Sequence, residues 1–98
     1  MLVKIHESYR KIVAVCDAEL IGKKFIEGNI QLDLTSEFYG GKKMKETEVI
    51  EILKGLNEDD STFNIVGKKS VAAAIKAGII DKSGVMKIKG IPHALGLL

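Results

Sequence analysis

Lys11-Ile12-Val13-Ala14-Val15-Cys16 decides the fold. Its β-branched content reads as a strand, and both faces are apolar: Ile12, Ala14 and Cys16 on one side, Val13 and Val15 on the other. A strand of that kind belongs inside a sheet that is covered on both sides. Upstream, residues 2–7 form a second short β-branched run across Ser8-Tyr9-Arg10, so the chain opens with a β-hairpin. If residues 7 and 11 pair beside that turn, His6 faces Ile12 and Cys16 faces Leu2. Downstream, Asp17 offers an N-cap to one helical turn through Ala18-Glu19-Leu20-Ile21, stopped by Gly22. Residues 23–27 and 30–34, joined by Gly28-Asn29, read as another hairpin; Ile30, Leu32 and Leu34 alternate with Gln31 and Asp33, leaving one face wet.

The second half changes period. Over residues 46–57, Val49, Ile50, Ile52, Leu53 and Leu56 share one face of a helix and Thr47, Glu48, Glu51 and Lys54 the other. Residues 57–62 are a polar, acidic turn, and residues 63–66 a short strand entering Gly67 and a second helix over about 68–77. That helix turns Val71, Ala74, Ile75 and Gly78 inward and carries Lys68, Lys69 and Lys76 on another side. A final strand over 85–89 points Met86 and Ile88 inward, and an apolar tail, 91–98, holds the only proline and His93. The order predicts one α+β domain spanning 1–98: a two-layer sandwich with a mixed four- to six-stranded sheet and two main helices on one face. Residues 63–89 are the expected βαβ crossover.

With 98 residues, 46% of them hydrophobic, the chain is long enough for a globular core, which excludes disorder. Lys and Arg number 15 against 13 Asp and Glu, so the net charge of +2 carries no argument from bulk charge. The apolar runs fall far short of the roughly 20 residues that cross a bilayer. His6 and Glu7 interrupt the N-terminus before any stretch long enough for a signal peptide, and a single cysteine suits a reducing, cytoplasmic setting. Lysine-rich, amide-poor usage, with Arg10 the lone arginine and Gln31 the lone glutamine, is thermophile-like.

Val3-Lys4-Ile5-His6, Val13-Ala14-Val15-Cys16-Asp17, Leu20-Ile21-Gly22-Lys23, Ser36-Glu37-Phe38-Tyr39-Gly40-Gly41, Asn64-Ile65-Val66-Gly67 and Ile91-Pro92-His93-Ala94 together resemble the archaeal family of small proteins called domain of unknown function 424. The resemblance spans nearly the whole chain. It implies a cytosolic, stand-alone α/β domain, and it brings no activity, cofactor or site residue with it.

Gly-Lys-Lys occurs three times, at 22–24, 41–43 and 67–69. Glycine frees backbone amides and lysine supplies charge, a phosphate-contacting pattern, although solvated turns in a lysine-rich chain look the same. Asn64-Ile65-Val66-Gly67-Lys68-Lys69-Ser70 is the best of them, because a strand feeding a helix N-terminus exposes unpaired amides to an anion. It lacks the first glycine and the Ser or Thr after lysine that a P-loop needs, which disfavours nucleotide hydrolysis. Phe38 and Tyr39 beside Lys42 and Lys43 suit single-stranded nucleic acid, with core packing as the competing use of the rings.

A Cys16 nucleophile with a His6 base fails on the hairpin geometry, since about four residues of ladder, roughly 13 Å, separate them. His93 is a candidate site residue reaching in from the tail, and two histidines with one cysteine give no zinc-ligand spacing. The reading is therefore a non-enzymatic module that contacts RNA or a ribonucleoprotein through Lys23, Lys24, Lys42, Lys43, Lys68, Lys69 and Lys76, with Phe38 or Tyr39 as a stacking group. It needs no cofactor, metal or membrane. The alternatives are a small-anion-binding protein or enzyme with its site at Gly67, and a homodimer formed through the apolar tail or a sheet edge.

Overall fold

The computed structural model describes residues 1–56 and 61–97. Four of six strands in the main sheet come from the segments expected to be strands, and the six assemble in the order β5-β1-β2-β6-β8-β7. The strands are β1 (Leu2–His6), β2 (Lys11–Cys16), β5 (Lys42–Lys43), β6 (Ser61–Val66), β7 (Met86–Ile88) and β8 (Ile91–Leu97). β1 and β2 pair antiparallel in the register read from the sequence, Leu2 opposite Cys16 and His6 opposite Ile12. β2 and β6 run parallel, Val13 opposite Phe63 and Cys16 opposite Val66, and this central pair is buried on both faces.

One face is packed by two helices, α2 (Glu46–Leu56) and α3 (Lys68–Lys76). Val13, Val15, Phe63 and Ile65 of the sheet meet Val49, Leu53, Val71 and Ala74 of the helices, all at most 5% exposed. On the opposite face the hairpin β3 (Lys24–Glu27) and β4 (Ile30–Asp33) forms a separate two-stranded sheet. With the short helix α1 (Ser36–Tyr39) it covers Ala14, Cys16, Val66 and Ile88. Both apolar faces of β2 are thus satisfied by different layers. Leu32 and Leu34 are buried as their alternation requires, while Ile30, next to the turn, is 53% exposed.

α1 and β5 were not anticipated, and both are held by interactions with β1. Two carbonyls of α1 find donors on the strand: Lys4 Nζ donates to Glu37 O at 2.6 Å, and His6 Nε2 lies 2.9 Å from Phe38 O. A carbonyl only accepts, so Nε2 carries the proton. The His6 ring also stacks on Phe38, with centroids 4.7 Å apart at 19°. Gly41 then runs so close to β1 that a Cβ there would lie 1.9 Å from the Val3 carbonyl oxygen. That approach lets Lys42 and Lys43 add a two-residue edge strand opposite Val3 and Leu2.

The apolar tail is itself a strand of the main sheet. Residues Ile91–Leu97 form β8, inserted antiparallel between β6 and β7. β7 therefore runs parallel to β6 with β8 between them, so the expected βαβ unit exists in split form. Lys89 and Gly90, both at positive φ (53° and 77°), make the two-residue turn that joins β7 to β8. Pro92 lies one position beyond the last β6–β8 pair, Val66 opposite His93, where a missing N–H costs little. Met86, expected inward, is 51% exposed on the edge strand, and Leu95 is 58% exposed on β8. Of the acidic turn expected over 57–62, residues 57–60 lie outside the described residues, as does Leu98, while Ser61 and Thr62 already belong to β6, paired with Lys11 and Ile12.

The two glycines 41 and 55 should respond oppositely to alanine. Gly41→Ala must displace the β1 backbone and is expected to destabilise by about 1–3 kcal/mol, as overpacking does. Gly55, inside α2, has nothing within 4 Å of a built Cβ, and Gly55→Ala should stabilise by up to about 1 kcal/mol. Urea unfolding of both variants checks this, and equal effects would contradict the close β1–Gly41 approach.

Candidate functional site at the ends of the parallel strands

The central parallel strands finish side by side, and their onward connections diverge. β2 runs into Asp17 and a 3-10 turn, Ala18–Leu20, that leads to the hairpin layer; β6 runs into Gly67 and α3 on the helical layer. A crevice outside the carboxyl ends of parallel strands, where successive connections leave on opposite sides, is the usual ligand position in open α/β sheets.

Asp17 was expected to cap its own turn, but its side chain makes no bond there. Its carboxylate reaches instead across to the start of α3. Oδ2 accepts from Lys69 N at 3.1 Å, and Oδ1 accepts from Ser70 N at 2.8 Å and from Ser70 Oγ at 2.7 Å. Gly67, the N-cap residue, has no side chain to offer, and Asp17 bonds the second and third helical amides in its place. Asp17 is 4% exposed. Desolvating a carboxylate costs several kcal/mol, and three charge-assisted hydrogen bonds at about 1.5–3 kcal/mol each are of the size needed to offset it. Gly67 is required twice: its φ of 107° disfavours a side chain, and a Cβ would sit 2.3 Å from the Asp17 carboxyl carbon.

Two of the amides expected to meet a phosphate at the α3 N-terminus, those of Lys69 and Ser70, are occupied by the protein's own carboxylate, and Gly67 N donates to Pro92 O at 2.9 Å. Beside them lies a cavity of about 210 Å³. Leu20, Ile91 and Pro92 give it apolar walls, Gly67 and Gly90 leave room, and Glu19, Lys68 and Lys69 stand around it with Asp17.

The other candidate residues disperse. Lys23 and Lys24 are exposed at the start of β3, and Lys42 and Lys43 on edge strand β5, three strands or roughly 14 Å across the sheet from β6. Lys76 ends α3 and is held 2.7 Å from Glu46 of α2, so its charge is already paired. Tyr39 is 5% exposed in the core, with its phenol pushed up to about 12 by burial and then by nearby Cys16; its ring is not available to stack on a base. Phe38 is half-buried between His6 and Tyr39. The ring that stands free in solvent is Tyr9, at the β1–β2 turn and so at the other end of the sheet.

No nucleophile emerges from the cysteine. Cys16 is fully buried and its thiol is pushed up to about 12, by desolvation first and then by Asp17 and Glu19. His93 shares its row of the sheet with Val66 between them, roughly 10 Å away, so the two exchange no proton. His93 Nδ1 is buried with no hydrogen-bond partner, and burial lowers the imidazole pKa. Among the described residues, no group of three His, Cys, Asp or Glu side chains is placed to hold a metal, and no helix is long and apolar enough to cross a membrane.

Removing the Asp17 carboxylate leaves two helix amides and a buried hydroxyl unpaired. Asp17→Ala should cost about 2–4 kcal/mol in denaturant unfolding. Asp17→Asn should fall between, because its NH₂ faces the Lys69 N–H or the Ser70 N–H, whichever way it is turned. A neutral Ala variant would contradict the cap. For His93, the unfolded chain binds the proton more readily than the folded one, so stability is fully present above the ordinary pKa of 6.5. It declines as pH falls from there toward the lower folded value. Thermal melts between pH 5 and 8 should show this slope flattened in His93→Gln, and an unchanged slope in that variant would assign it elsewhere.

A crystal structure of an uncharacterized conserved protein from Methanopyrus kandleri shares this fold at a TM-score of 0.79. The two chains are 22% identical over 96% of this chain and 87% of the other. Curated proteins yield no match to the chain. A family model described as a protein of unknown function, DUF424, matches residues 5–97, so the parallel-strand ends, the Asp17 cap and the cavity all lie within it: the chain belongs to the DUF424 family.

Proposed function

We propose that the protein is a non-enzymatic module of the archaeal cytosol that binds RNA or a ribonucleoprotein through exposed lysine pairs. The observation that carries this reading is the state of the three Gly-Lys-Lys pairs. Lys23, Lys24, Lys42, Lys43, Lys68 and Lys69 are all exposed, and among the described residues none has a carboxylate partner. Free ammonium groups near phosphates release counterions, so they produce affinity where a net charge of only +2 would not. Lys68 and Lys69 stand on the first turn of α3 and line the cavity. Lys76 drops out of the surface because Glu46 holds it, and stacking by Tyr39 drops out because the ring is in the core.

The buried, protonated Cys16 and the separation of both histidines from it speak for binding rather than nucleophilic catalysis. The apolar tail is a sheet strand, so a homodimer would use a sheet edge or the exposed apolar side chains Ile5, Ile26, Ile30, Met86 and Leu95, which are dispersed over β1, the hairpin layer, β7 and β8.

Equilibrium binding to a pool of cellular RNA at several salt concentrations tests the reading. Affinity should fall steeply with salt, and Lys68→Glu with Lys69→Glu should lower the log–log slope by about 1.4, two contacts at roughly 0.7 each. Acidic side chains are favoured at a helix start, so circular dichroism should show the double variant folded. Salt-insensitive binding, or no binding at either salt, would overturn the proposal.

A further inference from the structure

We infer that the cavity beside Gly67 seats the base of one nucleotide, with its phosphate on Lys68 and Lys69. This deepens the RNA reading and rests on it. The Lys69 and Ser70 amides are not the ligand's partners, since Asp17 takes them. What the cavity offers instead is a distinct set of surfaces. Leu20, Ile91 and Pro92 supply apolar walls suited to the face of a planar ring. Gly90 keeps the wall at the β7–β8 turn free of a side chain.

Asp17 lines the same space and has acceptor capacity left. An ionised carboxylate has about four lone-pair sites, and Asp17 uses three: two on Oδ1 and one on Oδ2. The remaining site on Oδ2 selects a ligand carrying an N–H donor, which the amino group of adenine or cytosine provides. Such a ring needs an anionic group attached to it to use the two ammonium groups at the edge. A nucleotide combines the three properties: a flat apolar face, an N–H donor at its rim and a phosphate outside the pocket. Inorganic phosphate has only the last.

The test compares adenosine 5′-monophosphate with ribose 5-phosphate on the wild-type protein by amide chemical-shift titration. The base should strengthen binding at least about tenfold and move the amides of Leu20, Lys68, Gly90 and Ile91. Ile91→Trp, which fills the cavity, should remove that preference. Equal affinity for the two phosphates would overturn the inference, and so would an unchanged preference in Ile91→Trp. Because the first comparison needs no variant, misfolding of Ile91→Trp does not blunt it.

A second arm separates a nucleotide within RNA from a free one. Short oligoribonucleotides bearing a single base among abasic positions should bind more tightly than fully abasic ones if the base belongs to a chain. If the RNA pool binds and neither nucleotide nor base-bearing oligomer prefers the cavity, the lysine surface stands and the base site falls. If adenosine monophosphate binds and RNA does not, the RNA reading falls and the cavity is a site for free nucleotides.

Discussion

The carboxylate of Asp17 on the first turn of α3 is the contact on which the architecture turns. It joins the end of one central strand to the helix that leaves the other, and so locks the two halves of the chain at the point where they diverge. Without it, α3 would begin at a glycine with no cap of its own, against a sheet end that offers only backbone. The cost of burying a charge is accepted because three donors converge on it. The geometry then dictates Gly67, since any side chain there would occupy the carboxylate's place. It also dictates Ser70, whose amide and hydroxyl both serve the same oxygen.

The same contact sets what the site is able to do. A helix start of this kind ordinarily attracts an anion from solution, and here the anion is internal. The positive end of α3 is compensated in place, and Lys68 and Lys69 are left as exposed charges beside it. On the proposed reading, recognition at this corner would rest on side-chain ammonium groups and on the apolar walls of Leu20, Ile91 and Pro92. That division favours a ligand with a polar, charged part outside and a flat part inside, over a bare anion.

Much of the fold was legible in the residues. The two apolar faces of residues 11–16 announced a central strand covered on both sides, and the hairpin register came from the turn alone. The helices were readable from the spacing of Val49 and Leu53 and of Val71 and Ala74. β8 was hidden because Pro92 and Gly96 argue against a strand, and because Lys-Gly is a weaker hairpin signal than Asn-Gly. β5 and α1 were hidden because neither is stable by local preference. A two-residue strand and a four-residue helix exist only through Lys4, His6 and the close approach of Gly41, which are contacts between distant positions.

The site was legible only in its parts. Gly67, Lys68 and Lys69 stood out as a strand-to-helix junction, whereas Asp17 looked like a local cap because the residues after it permit a turn. The missing clue was a negative one: a helix beginning at Gly-Lys-Lys-Ser has no capping side chain at its N-cap, so its amides must be satisfied from elsewhere. An aspartate following the apolar run Ile12 to Cys16 has the complementary problem, a charge carried into a dry corner with no local donor. Each deficiency alone is common in a sequence. Taken together, in a sheet where the two strands run parallel and finish level, they specify each other. Lys23, Lys24, Lys42 and Lys43 obey no such pairing rule, so their positions depend on the layers they sit on, and sequence spacing says nothing of the distance between them.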